Sequence, residues 1–113
     1  MNEMPPQVDL DALVLALQDG APLIDVREPG EYEEFHVPEA HLVPLMTVPD
    51  SVEQIRVIAD GKPLYVICAA GGRSNRAAAF LQQQGFDAIN VMGGSNEWLQ
   101  RGLPTVTGGP TSL

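Results

Sequence analysis

The chain has one cysteine, two histidines and six lysines and arginines among its 113 residues, and each scarcity removes a class of chemistry. A lone cysteine excludes an internal disulfide, and with so few histidines a Cys/His zinc cluster is not expected. Six basic against fifteen acidic residues leave a net charge of −9. Such a field repels nucleic acid and anionic membrane surfaces, and no run of Lys and Arg opposes it. The longest apolar stretches are short and broken by Gly, Pro or charge. None approaches the roughly 20 residues that cross a bilayer. The opening Met1-Asn2-Glu3-Met4-Pro5-Pro6 has neither the basic nor the apolar part of a secretory signal, so a cytoplasmic location is expected.

What is present suffices for one domain. Hydrophobic residues make up 44%, enough for a single core. Leu10, Leu13, Val14 and Leu17 follow the helical i, i+3, i+4, i+7 pattern, with Asp9 placed to cap the start and Gly20 to end it. Leu23-Ile24-Asp25-Val26 has the short apolar form of a buried strand. Glu28 to Tyr32 reads as a turn and a helix start, with Pro29 in the first turn. The stretch from His41 to Leu45 predicts a short edge strand, because Pro44 limits its ladder bonds. Val52, Ile55, Val57 and Ile58 give a second helical face, capped by Asp50 or Ser51 and ended at Gly61.

Leu64-Tyr65-Val66-Ile67 is the strongest strand signal in the chain. A helix is expected from Ser74 to Gln84, a strand over Ala88–Val91, a turn at Gly93-Gly94 and a helix over Ser95–Gln100. Trp98 belongs in the core beside that last helix. Strands alternating with helices predict an α/β domain: a mainly parallel sheet of about four or five strands with helices on both faces. The domain is expected over residues 8–106, with residues 1–7 as an extension and 107–113 as a loose tail.

In open parallel sheets ligands collect beyond the carboxyl ends of the strands, which is where Cys68 falls. Ala69, Ala70, Gly71, Gly72, Arg73 and Ser74 follow, and the next helix starts among them. Two glycines allow successive N–H groups to turn inward as an anion-holding nest, reinforced by the helix end. Nest, helix end and Arg73 together favour a thiolate at Cys68. A lone buried cysteine would instead be an inert core residue; the Gly-rich loop and Arg73 argue against that here. Ser74 is placed to cap the helix and to hydrogen-bond the sulfur. Asp25 and Arg27 end a neighbouring strand and are expected to support the framework or line the rim. Arg27 has Glu28 and Glu31 as nearby partners, or an anion to attract. His36 and His41 have no plausible metal partner beside them and are expected to be structural or exposed. Arg76 is expected at the solvated rim.

The spacing from Cys68 to Arg73-Ser74 resembles the active-site loop of rhodanese domains. The same resemblance covers Leu23-Ile24-Asp25-Val26-Arg27-Glu28, Glu31-Tyr32, His36-Val37-Pro38, Gly85-Phe86, Val91-Met92-Gly93-Gly94, Trp98 and Gly102-Leu103-Pro104, in that order. It implies a thiosulfate sulfurtransferase-type enzyme with Cys68 as nucleophile, the loop and Arg73 binding a small anionic sulfur donor such as thiosulfate, and a thiol, cyanide or protein as acceptor. It implies no metal and no cofactor. Related phosphatases carry one more residue between Cys and Arg than this chain does, so the shorter loop favours sulfur over phosphorus. Where many members of the family have a basic or polar residue after the cysteine, this chain has Ala69 and Ala70. It also has Phe35 and Glu39 at two positions that are usually glycine. A non-catalytic interaction module and a protein-to-protein sulfur relay are the alternatives.

Overall fold

The computed structural model describes residues 4–110. The first three residues of the expected extension and the last three of the expected tail lie outside them. In chain order the elements are β1 (Gln7–Val8), α1 (Leu10–Gln18), β2 (Leu23–Asp25), α2 (Pro29–Glu34), β3 (Ala40–Leu42), a 3-10 segment (Leu45–Ser51), α3 (Val52–Ala59), β4 (Leu64–Ile67), α4 (Gly72–Gln83), β5 (Ala88–Val91) and α5 (Gly94–Gln100). The five strands form one sheet in the order β1-β5-β4-β2-β3, and all pair parallel. The expected α/β architecture is borne out.

Alternation along the strands sorts side chains to the two faces. Ile24, Leu64 and Val66 join Ile55, Ala59, Ala77, Ala78 and Leu81 in one core cluster, under α3 and α4. Leu23 and Ile67 join Leu10, Leu13, Tyr32 and Trp98 in the other, under α1, α2 and α5. From β2 the chain moves outward to β3; from β4 it moves the other way, to β5. The sheet order therefore reverses between β2 and β4, which places a crevice beyond their carboxyl ends. Asp25 and Ile67 are register partners there, and Cys68 is the next residue.

Several elements depart from the sequence expectation. Gln7, the last residue of the expected extension, pairs with Asn90 at the sheet's edge. A two-residue strand after Pro5-Pro6 is too short to show alternation. The edge strand is Ala40–Leu42 and not His41–Leu45, because Pro44 turns the chain into the 3-10 segment. Val57 is 79% exposed and does not belong to the α3 face. At 3.6 residues per turn it lies about 200° from Ile55. Val106, the last residue of the expected domain, bridges His36, and within the expected tail the Gly108 N–H donates to the Glu33 carbonyl at 2.7 Å. Trp98 is buried as expected, its Nε1 donating to the Pro104 carbonyl at 2.7 Å.

Candidate active site

Cys68 leaves β4 at the crevice, and its side chain turns inward, with the residue only 1% exposed. The Gly71 N–H donates to Sγ at 3.1 Å and the Ser74 hydroxyl lies 3.3 Å from it. Two contacts from α5 shape this loop. Ser95 N–H donates to the Cys68 carbonyl at 2.8 Å, and Asn96 N–H to the Ala69 carbonyl at 3.0 Å. In a trans peptide the N–H points opposite to the C=O it shares a plane with. Tying those two carbonyls to α5 therefore turns the Ala69 and Ala70 N–H groups away from α5, as a nest requires.

Glycine is needed at two places. Gly71 has φ +114°, a conformation that L side chains rarely adopt, and it is the N-cap of α4. A Cβ on Gly94 would stand 2.4 Å from the Ala69 carbonyl oxygen and 2.5 Å from that of Cys68. The Gly93-Gly94 turn is thus what lets α5 press against the loop.

Opposing effects act on the thiol. Burial pushes the Cys68 pKa up, while hydrogen bonds from the Ser74 hydroxyl and from the Ser74, Gly71 and Ala70 amides pull it down, and the hydrogen bonds win. The net shift is toward thiolate.

Ser74 does not cap the helix. α4 begins two residues earlier than expected, so Ser74 lies in its first turn and the cap is Gly71. Its hydroxyl faces Sγ, the Gly71 carbonyl at 3.1 Å and the Asn90 side-chain oxygen. Arg73 lies beside this centre but is not free. Both its terminal nitrogens bind Glu31, at 2.7 and 2.9 Å. This fork, against the cost of burial, holds the Glu31 carboxyl at about 2.

Arg27 is a framework residue and not a rim cation. It is 2% exposed and pairs with fully buried Asp25 at 2.9 Å, where the sequence had suggested a pairing with Glu28 or Glu31. Its remaining donors reach the carbonyls of Phe35 at 2.7 Å and Glu31 at 3.3 Å. Asp25 and Arg27 thereby fasten the end of β2 to α2. His36 is buried, stacked on Tyr32 with ring centroids 3.5 Å apart, and His41 is exposed. Arg76 is exposed on α4. Among the described residues, no group of three or more His, Cys, Asp or Glu could hold a metal ion. Nor is any described helix long and apolar enough to cross a membrane.

Sequence reasoning did not single out the role of Glu31 toward Arg73, or those of Gln7 and Asn90, which sit behind Ser74. In the sequence Glu31 stands out as a nearby partner for Arg27 and as part of the family pattern, neither of which points to Arg73. Gln7 and Asn90 carried no local signal.

Fold and site define a doubly wound α/β domain with a buried, hydrogen-bonded cysteine at the carboxyl end of its central strand β4. The rhodanese-like domain profile matches residues 9–101. A sulfurtransferase of Allochromatium vinosum is 32% identical over 103 residues, covering 88% of this chain and 94% of that protein. The thiosulfate sulfurtransferase GlpE of Pseudomonas syringae is 37% identical over 82 residues, covering 72% of this chain and 74% of that one. Two other relatives, from Synechocystis and Bacillus subtilis, are each spanned over only half their length. Among solved structures, a rhodanese-related protein of Thermoplasma volcanium superposes with a TM-score of 0.78 at 29% identity, covering 89% of this chain and 97% of that one. The chain belongs to the rhodanese-like sulfurtransferase family.

Proposed function

We propose that the protein carries a sulfane sulfur on Cys68 as a persulfide and hands it to a nucleophilic acceptor. The observation that carries this reading is the sulfur at the carboxyl end of β4, with the Gly71 N–H donating to it and the Ser74 hydroxyl within reach of it. The Cys68 thiolate attacks the outer sulfur of a donor such as thiosulfate. A new S–S bond forms, the donor's S–S bond breaks, and sulfite leaves with the electron pair. The loop N–H groups stabilise the negative charge on the persulfide. An acceptor thiolate, or cyanide in an assay, then attacks the terminal sulfur, and the Cys68 thiolate departs.

Cys68 is the sole cysteine, so no internal thiol can release the sulfur as a disulfide. The acceptor is therefore external, and a protein acceptor would make the chain a relay. Thiosulfate is one candidate donor, suggested by the name of the Pseudomonas relative. The site acts in the cytoplasm on this reading, with neither a metal nor a cofactor in the cycle.

Intact-mass measurement after incubation with thiosulfate and other persulfide donors tests the proposal. The unaltered protein should gain the mass of one sulfur atom and lose it again on adding cyanide, and Cys68→Ser should gain none. No adduct with any donor would leave a non-catalytic interaction module.

A further inference from the structure

The hydrogen bonds that reach the sulfur do not end at Ser74. Its hydroxyl has one proton and three acceptors within reach: Cys68 Sγ, the Gly71 carbonyl and Asn90 Oδ1. Asn90, on β5 and 3% exposed, donates from Nδ2 to Gln7 Oε1 at 2.7 Å. Gln7, exposed on β1, donates from Nε2 to the Pro5 carbonyl at 3.0 Å and to Asn75 Oδ1 at 2.7 Å. A backbone carbonyl can only accept, so Pro5 decides which end of the Gln7 amide is which. Gln7 then turns its oxygen to Asn90, Asn90 answers with its NH2 group, and the Asn90 oxygen is left facing Ser74.

We propose that Asn90, oriented by Gln7, is a positioning residue that competes with Cys68 Sγ for the single Ser74 proton, so that β1 sets how readily the thiolate forms. The purpose of this competition rests on the persulfide reading; the competition itself is a property of the free thiol. In the thiol state Ser74 donates to Asn90 Oδ1. On ionisation the hydroxyl rotates toward sulfur and leaves that buried amide oxygen without its donor, which opposes part of the stabilisation the loop supplies. The charged groups at this end of the sheet are Arg73 on α4, Glu31 of α2 bound to it, and the Asp25–Arg27 pair at the end of β2. On α5, Glu97 lies against Gly93 and pairs with Arg101, and Ser95 and the β5 residue Asn90 do not titrate.

The test follows the ultraviolet absorbance of the thiolate against pH, with Cys68→Ser as the blank and no sulfur donor present. Q7L frees the Asn90 amide to turn its NH2 toward Ser74, so the midpoint should fall by about half a unit to one unit. Q7E supplies an acceptor for Asn90 Nδ2 again and adds a like charge, so the midpoint should rise from that of Q7L to that of the unaltered protein or above it. N90D holds the Ser74 proton more tightly and adds a like charge, so the midpoint should rise. S74A should also raise it, and Q7L should add nothing in an S74A background. Equal midpoints for Q7L, Q7E and the unaltered protein would overturn the proposal, as would an unchanged midpoint in S74A. Gln7 is exposed, so its variants keep the test intact even where N90D fails to fold. A protein that shows these shifts but takes up no sulfur would defeat the persulfide reading and leave this one standing.

Discussion

Arg73 and Glu31 neutralise each other at the mouth of the site, and on the persulfide reading that pairing would govern how strongly an anionic donor is drawn in. The fork is about one-third exposed on each side, so it contributes modestly to stability, on the order of 0–1 kcal/mol. Its effect on charge would be larger, because Arg73 is a cation that acts electrostatically on Cys68. In E31Q the guanidinium is no longer offset, and KM for thiosulfate should fall in a sulfite-release assay. A rise in KM would mean that Glu31 orients Arg73 rather than masking it. The sign of the pH effect follows from the Glu31 carboxyl, held at about 2 against an ordinary 4.5. A folded value below the unfolded one stabilises fully above about 4.5 and is lost as pH falls toward 2. Denaturant titrations of E31Q should therefore show a shallower loss of stability in that window. Cys68 through Ser74 could be recognised in the sequence because the loop is contiguous. Glu31 and Arg73 are 42 residues apart, and Gln7 and Asn90 are 83 apart, so only the sheet order joins them.

At the scale of elements, the first turn of α5 braces the cysteine loop through the Cys68 and Ala69 carbonyls. Gly94 makes that contact possible, since a Cβ there meets backbone that cannot yield. Gly94→Ala should cost about 2–4 kcal/mol, combining overpacking with a positive φ. The activity remaining in the folded fraction should also fall, read by chemical denaturation alongside turnover. Unchanged stability would show that α5 can retreat from the loop. Elements with a clear period were legible: α1 by its apolar spacing, β4 by its β-branched and aromatic residues. The 3-10 segment and β1 were not. One is set by Pro44 and packing around Val48, which is 1% exposed, and the other is held by pairing with a strand distant in sequence.

For the molecule as a whole, strand–helix alternation was enough to anticipate the parallel sheet, whereas the strand order needed the structure. The reversal between β2 and β4 then explains why chemistry collects at one edge of the fold. The net charge of −9 would act on an anionic donor from farther away. Exposed charges are screened beyond about 8–10 Å at physiological salt, but much less at low salt. Thiosulfate capture should accordingly speed up when an inert salt is added to a low-salt buffer, then level off. A rate that falls instead would show that local attraction at the loop outweighs the global field.

The near-complete burial of Cys68 bears on how the molecule meets other thiols. A disulfide needs the two Cα atoms within about 7 Å of each other, which two copies of this domain cannot reach with both sulfurs enclosed. Oxidation of the purified protein should yield no dimer on a non-reducing gel. Loading with sulfur lengthens the side chain by one S–S bond, about 2 Å. On the persulfide reading, a partner must therefore reach into the loop to collect the cargo, which favours a small or extended acceptor over a second rigid copy of this domain.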